Sequence, residues 1–492
     1  MCTVSCFLNY TLLTLALCFL YPACSDNFIT MPQKQNIQSQ TSVTANIAEL
    51  LRLAGPLMLG QFAVLGMTVT DIYMAGQIDS DTLAALQLGG SVWSFLSLVV
   101  IGIMIGNSPI IGNHWGAGLM ARVRFQFQQG LWLAVPVGAL LCLAILACID
   151  LLSYLDISQN VYSIARAYLM PFLLTGLLFP AFFAFRSSLE GMGDTKPMMI
   201  FNCLAFVLNG IFDYLFMFGK LGFPAMGGAG AAWATVVVMV FLLTSMALYS
   251  RYARNLKDLR LYNQFSRPSG KAIGSILALG IPIALTLSVD MSFFAVIPLL
   301  IAPLGSDVLG AHAIAINLDA LVFMLPLGIG QALTIKVAHA QGAKNPQAAR
   351  YICLTGFKLV FVIALVLGAV KILLGGQLAS AFSPNAEVAR LATTLFYFSA
   401  VLGLCDCLQI SCGCALRGFK DTRVPLVIQI TAFWIIAFPI AYSVALTDIL
   451  GPPLGVYGFW LGAILAALVA TIGLLTRWRR VTGKAIAATA LG

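Results

Sequence analysis

Five aspartates stand inside long apolar stretches of this 492-residue chain: Asp71 in GMTVTDIYMAG, Asp213 in NGIFDYLFMFG, Asp290 in TLSVDMSFFAV, Asp319, and Asp406 in LGLCDCLQ. A carboxylate in hydrocarbon costs about 2.5–3.5 kcal/mol on insertion scales, so each needs a partner or a task. Asn209 precedes Asp213 by four residues, which puts both on one helix face. With Asp71 and Thr235 they make an oxygen-rich set. Oxygen ligands suit a hard cation, and an acid in low dielectric is alternatively held protonated. Either state gives a binding site for Na⁺ or H⁺. Asp290 and Asp406 form a second set; two neighbouring carboxylates do not cheaply both ionise, and a bound cation or a shared proton relieves them. Phe293 and Phe294 follow Asp290 by about one turn. They are either ordinary packing or an aromatic lining for an organic cation. Asp319 lies nearer the end of its stretch and is expected to be structural or solvated.

Other chemistry is weakly represented. Cys405, Cys407, Cys412 and Cys414 flank Asp406, but residues two apart on a helix face different ways, which argues against a thiolate zinc site. His114, His312 and His339 have no second ligand at metal spacing. No nucleophile–base pair is apparent, so no enzyme, resident metal or cofactor is expected beyond the coupling ion.

The elements that must position these acids are membrane helices. Hydrophobic residues make up 60% of the chain and charged residues 9%, against about 25% in soluble domains. The partner implied is the lipid bilayer. The net charge of +9 comes without a basic run interleaved with aromatics, so it points to basic loops rather than nucleic acid. Apolar spans of about 20 residues or more predict twelve transmembrane helices, at 53–77, 83–110, 128–150, 162–186, 197–219, 229–250, 272–302, 310–336, 354–378, 388–413, 425–447 and 455–476. Even-numbered connections carry the Lys and Arg, among them Arg122, Arg254, Lys344 and Arg417. Odd connections carry acids, among them Asp79, Asp156, Asp307 and Asp448. The positive-inside rule places the even loops and both termini in the cytoplasm.

The chain is also duplicated. Leu189-Glu-Gly191-Met-Gly-Asp194-Thr195-Lys196 recurs as Leu416-Arg-Gly418-Phe-Lys-Asp421-Thr422-Arg423, an offset of 227 residues. Asp81-Thr-Leu83 recurs as Asp307-Val-Leu309, Gly116-Ala117 as Gly342-Ala343, and Pro224-x-x-Gly227-x-x-Gly230 as Pro452-x-x-Gly455-x-x-Gly458. Six helices per half is an even number, so the halves share one orientation and form a parallel repeat. The expected fold is therefore all-α, with two pseudo-symmetric six-helix lobes. The expected divisions are an N-terminal extension (1–45), an N-terminal lobe (46–250), a cytoplasmic linker (251–271), a C-terminal lobe (272–476) and a cytoplasmic tail (477–492). The Asp-Thr-base turns are expected to cap the helices that follow them. Cys6 to Cys24 has a signal-like apolar run without a basic start. Met31 opens a polar lead-in and is the expected start.

DIYMAGQIDSDTLAAL (71–86), RSSLEGMGDTKP (186–197), LLIAPLGSDVLGAHAIAIN (299–317) and LRGFKDTR (416–423) resemble the multidrug and toxic compound extrusion (MATE) family, in its bacterial NorM-type branch. The resemblance covers residues 46–480. It implies a twelve-helix, two-lobed antiporter of the bacterial cytoplasmic membrane, functional as a monomer. It implies export of small cationic lipophilic compounds in exchange for Na⁺ or H⁺. By the same match Asp71 corresponds to the family's helix-1 acid and Asp406 to its helix-10 acid. Asp290 stands where a glutamate is usual, and Leu402 where a tyrosine is frequent. Asn209, Asp213 and Thr235 resemble the polar cluster of the N-terminal lobe. A lipid-linked oligosaccharide or cell-wall precursor flippase of the same superfamily is the alternative, disfavoured because its anionic cargo would call for a basic lumen.

Overall fold

The computed structural model describes residues 43–154, 158–449 and 451–490. The expectations for residues 1–42 and Asp156 lie outside the described residues. Among the described residues, twelve helices are long and apolar enough to cross a membrane. In order they are α1 (Val43–Gly76), α2 (Ser80–Gly116), α3 (Met120–Leu152), α4 (Gln159–Met192), α5 (Lys196–Phe218), α6 (Gly228–Tyr252), α7 (Gly270–Leu304), α8 (Ser306–Gly342), α9 (Pro346–Phe382), α10 (Ala386–Gly418), α11 (Arg423–Leu446) and α12 (Val456–Thr489). Helices suit this sequence because hydrocarbon offers no water to unpaired backbone groups, and a helix pairs its own. Several helices run past the expected apolar spans. Residues 477–489, expected as a tail, continue α12 as helix.

Helices α1–α6 pack around one apolar core, in which Trp93, Phe172 and Phe179 interlock. Helices α7–α12 build a second core around Phe293, Phe396, Phe433 and Phe459. Each half also lends its first helix to the other. Leu50, Ala54 and Leu57 of α1 join a cluster with α8, α9, α10 and α12, while Ile276 of α7 joins the first core.

Glycines make these crossings close. A Cβ on Gly102 would stand 2.3 Å from Ala284 Cα, and one on Gly328 would stand 2.4 Å from Met58 Cγ. Both residues of each contact match those of the other at an offset of 226, so the two crossings are one packing solution used twice. At the ends of α2 and α8, Cβ atoms on Gly116 and Gly342 would meet His339 O at 2.1 Å and Asn113 O at 2.0 Å. Backbone cannot give way as a side chain can. Gly342→Val is therefore expected to hold these ends apart and stop transport. Spin labels on the α2–α3 and α8–α9 loops check this: the variant should show a longer inter-loop distance than wild type.

The backbone hydrogen bonds of the turn repeat in both copies. Asp194 N–H donates to Leu189 O at 2.9 Å, and Asp421 N–H to Leu416 O at 2.9 Å. Gly193 and Lys420 hold the left-handed positions, at φ 87° and 61°. This closes the preceding helix in each lobe by satisfying its last carbonyls. The expected capping of the following helix is not found, since Thr195 and Thr422 make no side-chain cap bond. Instead each aspartate clasps the last helix region of its own half. Asp194 accepts from Tyr249 Oη at 2.7 Å and Asn255 Nδ2 at 2.9 Å, and Asp421 from Arg477 Nε at 2.6 Å. Burial pushes the Asp194 carboxyl above its ordinary range, and these two donors pull part of that shift back.

The connection between the halves is pinned to α3. Gln128 donates to Leu261 O and accepts from Ser266 N–H, both at 2.9 Å, and Gln129 accepts from Ser269 N–H at 2.7 Å.

Candidate cation and substrate sites

The first acid cluster joins α1 to α5. Asn209 Nδ2 donates to Asp71 Oδ1 at 2.7 Å and to Asp213 Oδ2 at 2.5 Å, so one amide bridges two carboxyl groups. The i, i+4 spacing on α5 makes the pairing possible. Asp213 is fully buried, and its second oxygen has no hydrogen-bond partner. Two ionised carboxylates held this way repel, and a proton or small cation shared between them removes the repulsion. Thr235 does not join by hydrogen bond. Its hydroxyl donates to Ala231 O of its own helix at 3.0 Å. A threonine on a helix readily satisfies itself in this way, which its sequence position could not reveal.

In the second half, Asp290 on α7 accepts from Gln429 Nε2 at 3.0 and 3.2 Å. Gln429 is buried on α11, beside a widened π-helical turn at Thr431–Ala437. Such turns are frequent at functional sites, because they re-aim a side chain without ending the helix. Asp406 on α10 makes no hydrogen bond among the described residues, and it lies within electrostatic reach of Asp290, Asp319 and Lys371. A half-buried carboxylate near another acid is suited to take up a cation.

Asp319 has a structural role. It pairs with the ammonium of Lys371 on α9, and Ser399 Oγ on α10 donates to it at 2.5 Å. Lys371 Nζ also donates to Ser399 Oγ at 2.8 Å. Three helices are thus joined through one closed polar triad. Lys371, Ser399 and Gln429 were missed from sequence. The signal for Lys371 was present, since a base in an apolar span is as costly as an acid.

Phe293 is not available as a lining residue. It is fully buried, edge-on to Phe294, Phe433 and Phe438 at centroid distances of 5.2–6.4 Å. Phe294 is partly buried and packs against the same core. The packing alternative describes Phe293.

Fold and acids together define a polytopic two-lobed membrane protein with a carboxylate cluster inside each lobe. The MatE family model matches residues 56–215 and again 282–443, once in each half, and the chain belongs to that family. It is similar to the "Probable multidrug resistance protein NorM" of Idiomarina loihiensis, 35% identical over 442 residues, covering 89% of this chain and 94% of that one. It is also similar to the multidrug resistance protein PmpM of Pseudomonas aeruginosa, 34% identical over 443 residues, covering 89% and 92%. A solved MATE structure in the straight conformation aligns with a TM-score of 0.80 at 22% identity, over 88% of this chain and 96% of that one. The eukaryotic MATE transporter AtDTX14 aligns with a TM-score of 0.77 at 19% identity, over 90% and 98%.

Proposed function

We propose that this chain is a secondary active multidrug efflux antiporter of a bacterial cytoplasmic membrane. It exports small cationic lipophilic compounds in exchange for Na⁺ or H⁺ by alternating access. The observation that carries the reading is the pair of acid clusters, Asp71–Asn209–Asp213 in one lobe and Asp290 with Asp406 in the other. Acidic interiors favour cationic cargo over anionic cargo. The multidrug resistance names of relatives at 32–35% identity support the same reading.

The mechanism follows from charge. An incoming Na⁺ or H⁺ neutralises the carboxylates and removes the attraction that holds the cationic compound, which then leaves. The lobes rock back about their glycine crossings and the ion is released on the other side. The basic loops support a cytoplasmic position for that side. Each inward charge in excess of the charge exported gains about 2.3 kcal/mol per 100 mV of membrane potential, and in an electroneutral exchange the concentration gradient of the ion alone drives export.

Ethidium efflux from proteoliposomes, with Na⁺ and pH gradients imposed separately, tests the proposal. Efflux driven by either gradient is the expected result, and the effective gradient identifies the ion. Protein that moves ethidium under neither gradient contradicts the reading.

A further inference from the structure

The two copies of the duplicated turn have diverged in side chains that the transport reading does not use. Around the second copy lies a cavity of about 290 Å³, bounded by Ala278 and Leu279 of α7, by the turn from Lys420 to Thr422, by Arg423 and Val424, and by Arg477. At about 30 Å³ per water, it has room for a phosphate group and its first waters. Three bases and one acid line it, and the acid, Asp421, is already held by Arg477 Nε. The cavity therefore keeps a net positive charge, and the remaining guanidinium N–H groups of Arg477 are left to bind.

The buried wall carries an unmet hydrogen bond. Thr422 is 3% exposed, lines the cavity, and its Oγ1 has no partner. Its twin Thr195 donates to Leu53 O. The first turn of α11 begins at Arg423, and early N–H groups of a helix have no carbonyl within it. Those groups and the helix dipole favour an anion.

Lys420 adds a separate indication. It occupies a left-handed position, φ 61°, which favours glycine, and the twin turn does carry Gly193 there. A lysine there costs backbone strain that its glycine twin does not carry. Its Nζ reaches Asn113 Oδ1 at 2.9 Å across the contact between the halves. The remaining twin position is equally divergent, since Tyr249 clasps the first turn where Arg477 clasps the second.

We infer that this cavity is a binding site for a phosphate-bearing anion at the basic end of the second lobe, held by Lys420, Arg423, Arg477, Thr422 and the start of α11. Guanidinium and ammonium groups around a helix start match phosphate geometry and charge. The phosphate comes either from the headgroup of an anionic lipid or from free phosphate. A bound anion also fixes Lys420, and through it Asn113 of the first lobe, which stabilises the arrangement described here.

The test uses the purified full chain in zwitterionic detergent. Its thermal unfolding midpoint is measured with inorganic phosphate, with short-chain phosphatidylglycerol, and with short-chain phosphatidylcholine as the neutral control. Thr422→Val and Arg423→Gln are compared with Arg350→Gln, which removes an exposed base from the start of α9 at the same end. A midpoint rise with phosphatidylglycerol alone assigns the site to a lipid headgroup; a rise with phosphate assigns it to the free anion. In either case Thr422→Val and Arg423→Gln should weaken the response about tenfold in ligand concentration, and Arg350→Gln should leave it unchanged. A rise that all variants share, or no rise with either anion, overturns the inference. Thr422→Val preserves shape, so its folding keeps the comparison valid if Arg423→Gln is unstable.

Discussion

Asp406→Asn is expected to reduce ion-driven efflux about 100-fold while leaving the protein folded. Such a loss sits at the upper end of measured coupling between two sites, about 1–3 kcal/mol. The substitution keeps the shape of the side chain, and no hydrogen bond to the carboxylate among the described residues is broken by it. Removing an unpaired, half-buried charge relieves a desolvation cost rather than creating one. The stability and transport effects should therefore separate. Thermal unfolding checks the first, and ethidium efflux under an imposed gradient checks the second. A variant that unfolds at much lower temperature would assign Asp406 a structural role instead.

Lys371→Met should behave in the opposite sense, with a large loss of stability. The Lys371 side chain is 6% exposed, and its ammonium is shared between Asp319 and Ser399. Breaking a buried pair by deleting one partner costs about 3–5 kcal/mol, because the other charge is left without compensation. Neutralising both partners is much milder. Lys371→Met/Asp319→Asn should recover most of the lost midpoint, whereas either single change should not. Thermal unfolding of the three variants forms the cycle. If the double variant is as unstable as the sum of the singles, the triad is not an isolated charge pair.

Much of this architecture was legible in the sequence, because hydrocarbon is a severe solvent. Twelve spans followed from apolar length, and the duplication followed from turns whose residues are constrained by backbone geometry. Asp194 and Asp421 could be matched from sequence; the helix each clasps could not, because Tyr249 and Arg477 are chemically unlike. The helical continuation of α12 past Arg477, Arg479 and Arg480 was not legible, because a helix carries bases beyond its apolar span without breaking.

The first acid cluster was only partly legible. Asn209 and Asp213 share a face by spacing alone, but their contact with Asp71 needed α1 and α5 to pack together. Thr235 could not be placed, since its hydroxyl had a local carbonyl available. Phe293 illustrates the same limit: an aromatic one turn from an acid faces the site or the core according to helix rotation, and here it faces the core. Lys371 carries the same insertion cost as the acids inside the spans, and a buried base is the natural complement of Asp319.

The central claim is that cation and drug compete for the same carboxylates. The most direct measurement is equilibrium binding of ethidium to the purified protein, by fluorescence, across Na⁺ concentration at fixed pH and across pH without Na⁺. Competition predicts that the apparent Kd for ethidium rises with the coupling ion, and that the dependence is lost in Asp71→Asn or in Asp290→Asn. An ethidium affinity independent of both Na⁺ and pH in wild-type protein would contradict the account.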